Sequence, residues 1–426
     1  MSEKKINLVA ADMGYGHQRA AYPLRDLSDG EILTINNYEG IPAWEKEYWT
    51  KSLRSYERIS RLKKIPLAGD LIFSVMDIFQ KIPARYPFRD LSKPIVQQKY
   101  FYRSIEKGMG RDMITRLNEN GLPFVTTFFV AAYIAESFDY RGDIYCIICD
   151  TDASRSWAPL HPQASRTKFL VPSEKVRDRF LMYGVKDENI IITGFPLPKE
   201  NIGADKGILR SDLARRVIEL DSEGKYRDHY QPVLDAELKK RPHNFVPPLV
   251  ITFAVGGAGA QKEIGATIIS KLAREIKNGE IRVNLVAGNR AEVKEYFTAA
   301  AAAAGLAVGR GVEIIYDADK IVYFGKFNDC LHDTDILWTK PSELSFYSAL
   351  GLPIIMSEPV GSQEDFNRQW LLEIGAGVDS PDPRYVAEWL PDLLASGRLA
   401  RAAVDGFLNA EQMGAYAIEK LINDKK

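Results

Sequence analysis

Three cysteines in 426 residues (Cys146, Cys149 and Cys330) are too few for a disulfide framework, so a reducing, cytoplasmic setting is expected. No eighteen uncharged apolar residues run together, and no transmembrane helix is expected. The apolar run Ile6–Ala11 is too short for the core of a secretion signal and is followed by Asp12. Neither charge is in excess: 56 Lys and Arg stand against 57 Asp and Glu, net −1, so nothing points to a nucleic-acid partner. The phosphate-binding signatures are incomplete. No glycine loop ends in the Lys-Ser/Thr pair of a nucleotide-hydrolysing P-loop, and Arg19 stands where a dinucleotide fingerprint needs its third glycine. No resident cofactor and no metal are expected.

What is present is alternation. Short β-rich runs recur, each followed by a glycine or polar loop and a helical pattern: 6–11, 124–130, 144–149, 167–173 and 189–196, then 249–255, 282–288, 311–316, 320–327, 335–340 and 352–357. Buried strands alternating with helices predict parallel sheets with crossovers. With 46% hydrophobic residues, the chain has material for more than one core. The fold class is α/β: two Rossmann-like doubly wound domains facing across a cleft, with helical insertions. The expected boundaries are 1–200 for the first domain, with a helical excursion at 38–112; 201–247 for a charged insertion and linker; 248–405 for the second domain; and 406–426 for a final segment.

Chemistry is expected in the loops at strand ends. Gly14 and Gly16 let the backbone after the first strand approach a ligand, and His17 beside them is a candidate general base. Asp150-Thr151-Asp152 has the form of a metal-gripping acidic pair, although a strand-end turn explains it as well. Gly256, Gly257, Gly259 and Ala260 repeat the anion-cradling pattern at the first strand of the second half. Gly288 and Asn289 end the next strand, where a nucleobase can pack. The backbone amides of Ser342, Glu343 and Leu344 open a further helix and suit a second phosphate. Gln363, Glu364 and Asn367 follow a later strand and suit sugar hydroxyls.

The segments GYGHQRAA (14–21), 151–197, GGAGA (256–260), AGNR (287–290) and 339–378 resemble GT-B glycosyltransferases of the diacylglycerol galactosyl/glucosyltransferase type, relatives of the peptidoglycan lipid-linked N-acetylglucosaminyl transferase. The resemblance implies a nucleotide-diphosphate-sugar donor, UDP-linked, on the second domain. Its base would lie near Gly288–Asn289, its phosphates at Gly256–Ala260 and Ser342–Leu344, and its sugar hydroxyls at Gln363 and Glu364. His17 would face the reacting centre with Asp152 assisting, no metal would be needed, and the final helix would cross back to the first domain. The chain departs from the pattern at Ser348, where a ribose-gripping glutamate is usual, and at Phe128 and Phe129, where a histidine-containing strand end is usual. Two alternatives stay open: a UDP-sugar epimerase on the same fold, and a catalytically inactive nucleotide-sugar-binding protein. The acceptor is unassigned, with a lipid among the candidates. Residues 44–80, basic and aromatic, suggest a peripheral membrane contact; the alternative is a helical subdomain packed inward.

Overall fold

The computed structural model describes residues 4–51, 82–238, 248–256, 259, 261–359 and 361–424. They divide into two units: Met1–Pro196 with Val360–Phe366 and Met413–Lys426, and Leu197–Pro359 with Asn367–Gln412. The proposed linker does not stand apart. Its described residues belong to the second unit, whereas the last helix, Gly414–Asp424, belongs to the first.

The first unit holds strands β1 (Asn7–Ala10), β2 (Leu33–Thr34), β3 (Phe124–Thr126), β4 (Ile144–Ile147), β5 (Lys168–Val171) and β6 (Ile190–Ile192), in the order β2-β1-β3-β4-β5-β6. Every pairing is parallel. The chain runs from β1 outward to β2, then returns to place β3 on the other side of β1. The carboxyl ends of β1 and β3 therefore flank a topological switch point, where open parallel sheets form a crevice.

The second unit repeats the plan with β7 (Leu249–Ala254), β8 (Ile281–Gly288), β9 (Ala307–Val308), β10 (Gly311–Tyr316), β11 (Ile336–Thr339), β12 (Ile354–Met356) and β13 (Gly377–Asp379). Their order is β13-β12-β11-β7-β8-β10-β9, again all parallel. Its switch point lies between β7 and β11. Two doubly wound parallel α/β domains are thus present, as the alternation predicts.

Two runs expected as strands fold differently. Residues 320–327 belong to the helix Lys320–Asp333. Tyr323, Phe324, Phe327 and Leu331 recur at helical spacing on its buried side, and Asp319 caps its start by accepting from the Val322 amide at 2.9 Å. The run 124–130 pairs only as far as Thr126. Its hydroxyl accepts from the Phe128 amide at 3.0 Å, turning the chain out of the ladder before the helix Phe129–Ser137 begins.

The amino-terminal ends of the second sheet are tied down by the helix Gly207–Glu219. Its Arg216 is buried and donates to the carbonyls of Thr334 (2.6 Å), Leu350 (2.8 Å), Gly351 (3.1 Å) and Leu331 (3.2 Å). Burial pushes this guanidinium down to about 10. Asp335 accepts from the Val250 amide at 2.8 Å and pairs with Arg215 at 2.6 Å.

Of the membrane contact proposed at 44–80, residues 52–80 lie outside the described residues. In the described helical turn 43–51, Trp44 is exposed but Trp49 is buried. Among the described residues no helix is long and apolar enough to cross a membrane.

The charge cluster beneath the second sheet makes its stability pH-dependent. Burial, and then the nearby Asp335, raises the Glu219 carboxyl from 4.5 to about 7. The hydrogen bond to Asp212 (2.7 Å) raises the His332 imidazole. Both groups bind protons more tightly folded than unfolded, so the stability they contribute at low pH is lost as pH rises, between 4.5 and about 7 for Glu219. In urea denaturation, Glu219→Gln gains stability relative to the parent on moving from about pH 5 to about pH 8. A difference that stays constant across that range would show that Glu219 titrates normally.

Candidate functional site

At the first switch point the loop after β1 rises through Gly14, whose φ of +102° is left-handed backbone that a side chain would strain, and enters the short helix Gly16–Ala21. This places His17 beside the end of β3. Its Nδ1 lies 2.6 Å from the carbonyl oxygen of Thr127, and the Thr127 hydroxyl donates back to the His17 carbonyl at 2.9 Å. A carbonyl can only accept, so Nδ1 carries the proton and Nε2 is the basic nitrogen of the neutral ring. The ring packs edge-on against Phe128, centroids 5.1 Å apart. Phe128 thus occupies the strand-end position as an apolar wall for the imidazole.

His17 lines a cavity of about 270 Å³ in the first unit. Its wall is aromatic: Tyr48, Trp49, Phe101, Phe128, Phe129 and Trp157. Each reaches it for a local reason. Trp49 rides the turn 43–51, which Glu45 pins by accepting from the Gly110 amide at 3.1 Å, just ahead of the helix Arg111–Leu117. Trp157 lies in a turn held from behind. Tyr133 donates to the carbonyls of Ser156 (2.7 Å) and Ala158 (2.8 Å), and the buried Arg155 donates to Ser92, Ala158 and Pro159.

The acidic pair divides. Asp150 lines the cavity. Asp152 is buried and accepts from Arg179 through both oxygens, at 2.8 and 2.9 Å, and from the Ala153 amide at 2.8 Å. Burial opposes the charge on Arg179, but the Asp152 contact outweighs it and holds the guanidinium above its usual range. Asp152 therefore anchors the loop rather than opening into the cavity. Among the described residues no three His, Cys, Asp or Glu side chains gather as a cation site.

At the second switch point, Gly256 follows β7 and Lys340 follows β11. A Cβ at Gly256 would lie 2.5 Å from Lys340 Cε, so the lysine stem lies directly against the glycine loop. Gly259, at φ +68°, sits over the start of the helix Ala291–Ala303, and its amide donates to the Gly256 carbonyl at 2.7 Å. Gly288, also left-handed at +69°, ends the neighbouring β8, with Asn289 next to it. Gly257 and Ala260 lie outside the described residues.

Ser342 and Glu343 open a 3₁₀ helix, Glu343–Leu350, in which the Ser342 hydroxyl accepts from the Leu344 amide at 3.4 Å. That amide is thus already engaged within the chain. Ser348 is fully buried. The helix Ser362–Glu373 is divided between the units. Gln363, with Glu364, groups with the first and lines its cavity, while Asn367 groups with the second, buried, its amide 3.5 Å from the Pro341 carbonyl. The structure brings Gly14, Gly16, His17 and Gln363 to one place, and Gly256, Gly259, Gly288 and Asn289 to another.

Sequence reasoning missed Thr127, Trp157 and Lys340. Lys340 had a usable signal, a lone cation at the carboxyl end of a strand next to a glycine loop. Thr127 had none, because its contribution is a backbone carbonyl.

No protein-family description and no curated protein matches the chain. Among solved structures it is similar to MurG of Acinetobacter baumannii, at 12% identity over 98% of this chain and 99% of that one, with a TM-score of 0.47. It is also similar to a UDP-GlcNAc 2-epimerase of Neisseria meningitidis bound to UDP-GlcNAc (11%, 98% and 97%, 0.45) and to the glycosyltransferase SnogD of Streptomyces nogalater (12%, 99% and 99%, 0.43). Likenesses this low assign no reaction, and the architecture rests on the strand orders above.

Arg179→Met leaves the buried Asp152 carboxylate unpaired and is expected to cost about 3–5 kcal/mol in urea denaturation. A loss below about 1 kcal/mol would show that Asp152 does not depend on the pair and is available for chemistry.

Proposed function

We propose that the chain is an inverting glycosyltransferase that moves a sugar from a nucleotide-diphosphate donor, UDP-linked, to an acceptor hydroxyl without a metal. The observation that carries this reading is the seating of His17: its tautomer is set by Thr127 and its ring lines the cavity at a switch point. In the reaction, Nε2 takes the acceptor hydroxyl proton as that oxygen bonds to the anomeric carbon. The bond from that carbon to the phosphate oxygen breaks, and its electron pair leaves with the nucleoside diphosphate. One displacement inverts the centre.

The leaving charge needs a counter-charge. At the second switch point the candidate counter-charge is Lys340, whose stem lies against the Gly256 loop. Gly256 and Gly259 remain the candidates for the diphosphate, and Gly288 with Asn289 for the base. Gln363, Glu364 and Asn367 remain the candidates for sugar hydroxyls.

An epimerase on this fold would need acids to move a proton within the sugar. Of the two candidates, Asp152 and Glu343, Asp152 is held by both oxygens on Arg179. This favours transfer.

His17→Ala is expected to lower kcat by about 10²–10⁴-fold. It keeps the rise in melting temperature on adding UDP, because it does not touch the diphosphate site. Unchanged turnover in the variant removes His17 from the role of base. No UDP-dependent shift in either protein removes the nucleotide-sugar reading.

A further inference from the structure

A buried side-chain amide ties the start of the second unit to one of its helices. The 3₁₀ turn Lys199–Asn201 is the first structure the chain forms after leaving the first unit at Pro196. Asn201 is 2% exposed. One atom of its amide lies 2.9 Å from the Asn328 carbonyl oxygen and 3.3 Å from His332 Nε2, both on the helix Lys320–Asp333. A carbonyl only accepts, so that atom is the nitrogen, Nδ2. Its second hydrogen serves Nε2, which therefore accepts and carries no proton. The ring's proton sits on Nδ1, 2.7 Å from Asp212 Oδ2. The other end of the amide, Asn201 Oδ1, is buried without a hydrogen-bond partner.

We propose that Asn201 and His332 form a pH-driven two-state switch, in which protonation of His332 at Nε2 turns the Asn201 amide over. Two N–H groups cannot share one hydrogen bond, so an imidazolium expels Nδ2. Half a turn of the amide brings Oδ1 to the new Nε2–H in a charge-assisted bond and takes Nδ2 away from the Asn328 carbonyl. Each setting satisfies one protonation state of the ring and leaves the other end of the amide idle. The tie between the turn and the helix thus passes from a backbone carbonyl to a titrating side chain.

The surrounding charges set where the switch works. On the helix Gly207–Glu219, Asp212 accepts from the ring, Arg215 donates to the His332 carbonyl at 3.1 Å and pairs with Asp335, and Arg216 opposes the proton. Asp329 on the ring's own helix favours it. The turn brings Lys199 and Glu200, and Glu200 accepts from Asn328 Nδ2 at 2.9 Å. The hydrogen bond to Asp212 outweighs burial and raises the imidazole above its ordinary 6.5, toward neutral pH.

This inference needs no nucleotide and does not depend on the transferase reading. The test is NMR titration of the full chain between about pH 5.5 and 8.5, following the His332 ring nitrogens and the Asn201 side-chain NH₂ pair, the latter assigned by its loss in Asn201→Ser. The expected result is one shared midpoint. On its acid side the NH₂ protons exchange with water about tenfold faster, after correction for the intrinsic pH dependence, because Nδ2 has lost its partners. His332→Gln abolishes the step. Glu219→Gln keeps it, although Glu219 titrates at about 7 on the neighbouring helix. Asn201→Asp, which can only accept, raises the His332 midpoint by about one pH unit or more and gives a second readout should His332→Gln fail to fold. An Asn201 pair that stays fixed while His332 titrates, a step that survives His332→Gln or vanishes in Glu219→Gln, or an unmoved midpoint in Asn201→Asp would overturn the proposal.

Discussion

One hydrogen bond organises the first unit's candidate site: the 2.6 Å contact between His17 Nδ1 and the Thr127 carbonyl. It spans the ends of β1 and β3, which neighbour each other only because the sheet reverses its winding there. A side-chain partner could rotate away or change protonation; a backbone carbonyl at a strand end does neither. The imidazole is therefore held in one tautomer and one orientation, the preorganisation that the proposed role as base requires. The returning bond from the Thr127 hydroxyl and the edge of Phe128 complete the seat.

The second unit applies the same topology to charge. Its sheet reverses between β7 and β11, and there the stem of Lys340 rests on the Gly256 loop. A side chain at that point would have to push the lysine stem aside. The opposite ends of those strands serve stability instead. Arg216 donates to four carbonyls there, and Asp335 joins the start of β7 to the helix Gly207–Glu219. Carboxyl ends carry the candidate site residues and amino ends carry the anchors, so substitutions at the two ends should affect different properties.

The sequence made the architecture legible because parallel strands buried on both faces read as continuous apolar runs. It misled at 320–327, where Ile321, Val322, Tyr323 and Phe324 satisfy both a strand and one turn of helix; the Asp319 cap and the buried spacing on to Phe327 and Leu331 favour the helix. At the site, glycines and a histidine at strand ends stood out. Thr127 could not, since what matters is its carbonyl. Asp150 and Asp152 are equivalent on paper; a bidentate arginine 27 residues away assigns one to the interior. The aromatic cavity draws on positions 48, 49, 101, 128, 129 and 157, a set with no local pattern for a linear reading to detect.

The central claim is that the fold fixes His17 as the Nδ1-protonated tautomer. Long-range proton–nitrogen correlation NMR of the imidazole side chains, with the His17 signals assigned by their loss in His17→Gln, measures this directly. The account predicts, above the His17 titration, a protonated Nδ1 and an unprotonated Nε2. A proton on Nε2, or rapid averaging between the two forms, would contradict it.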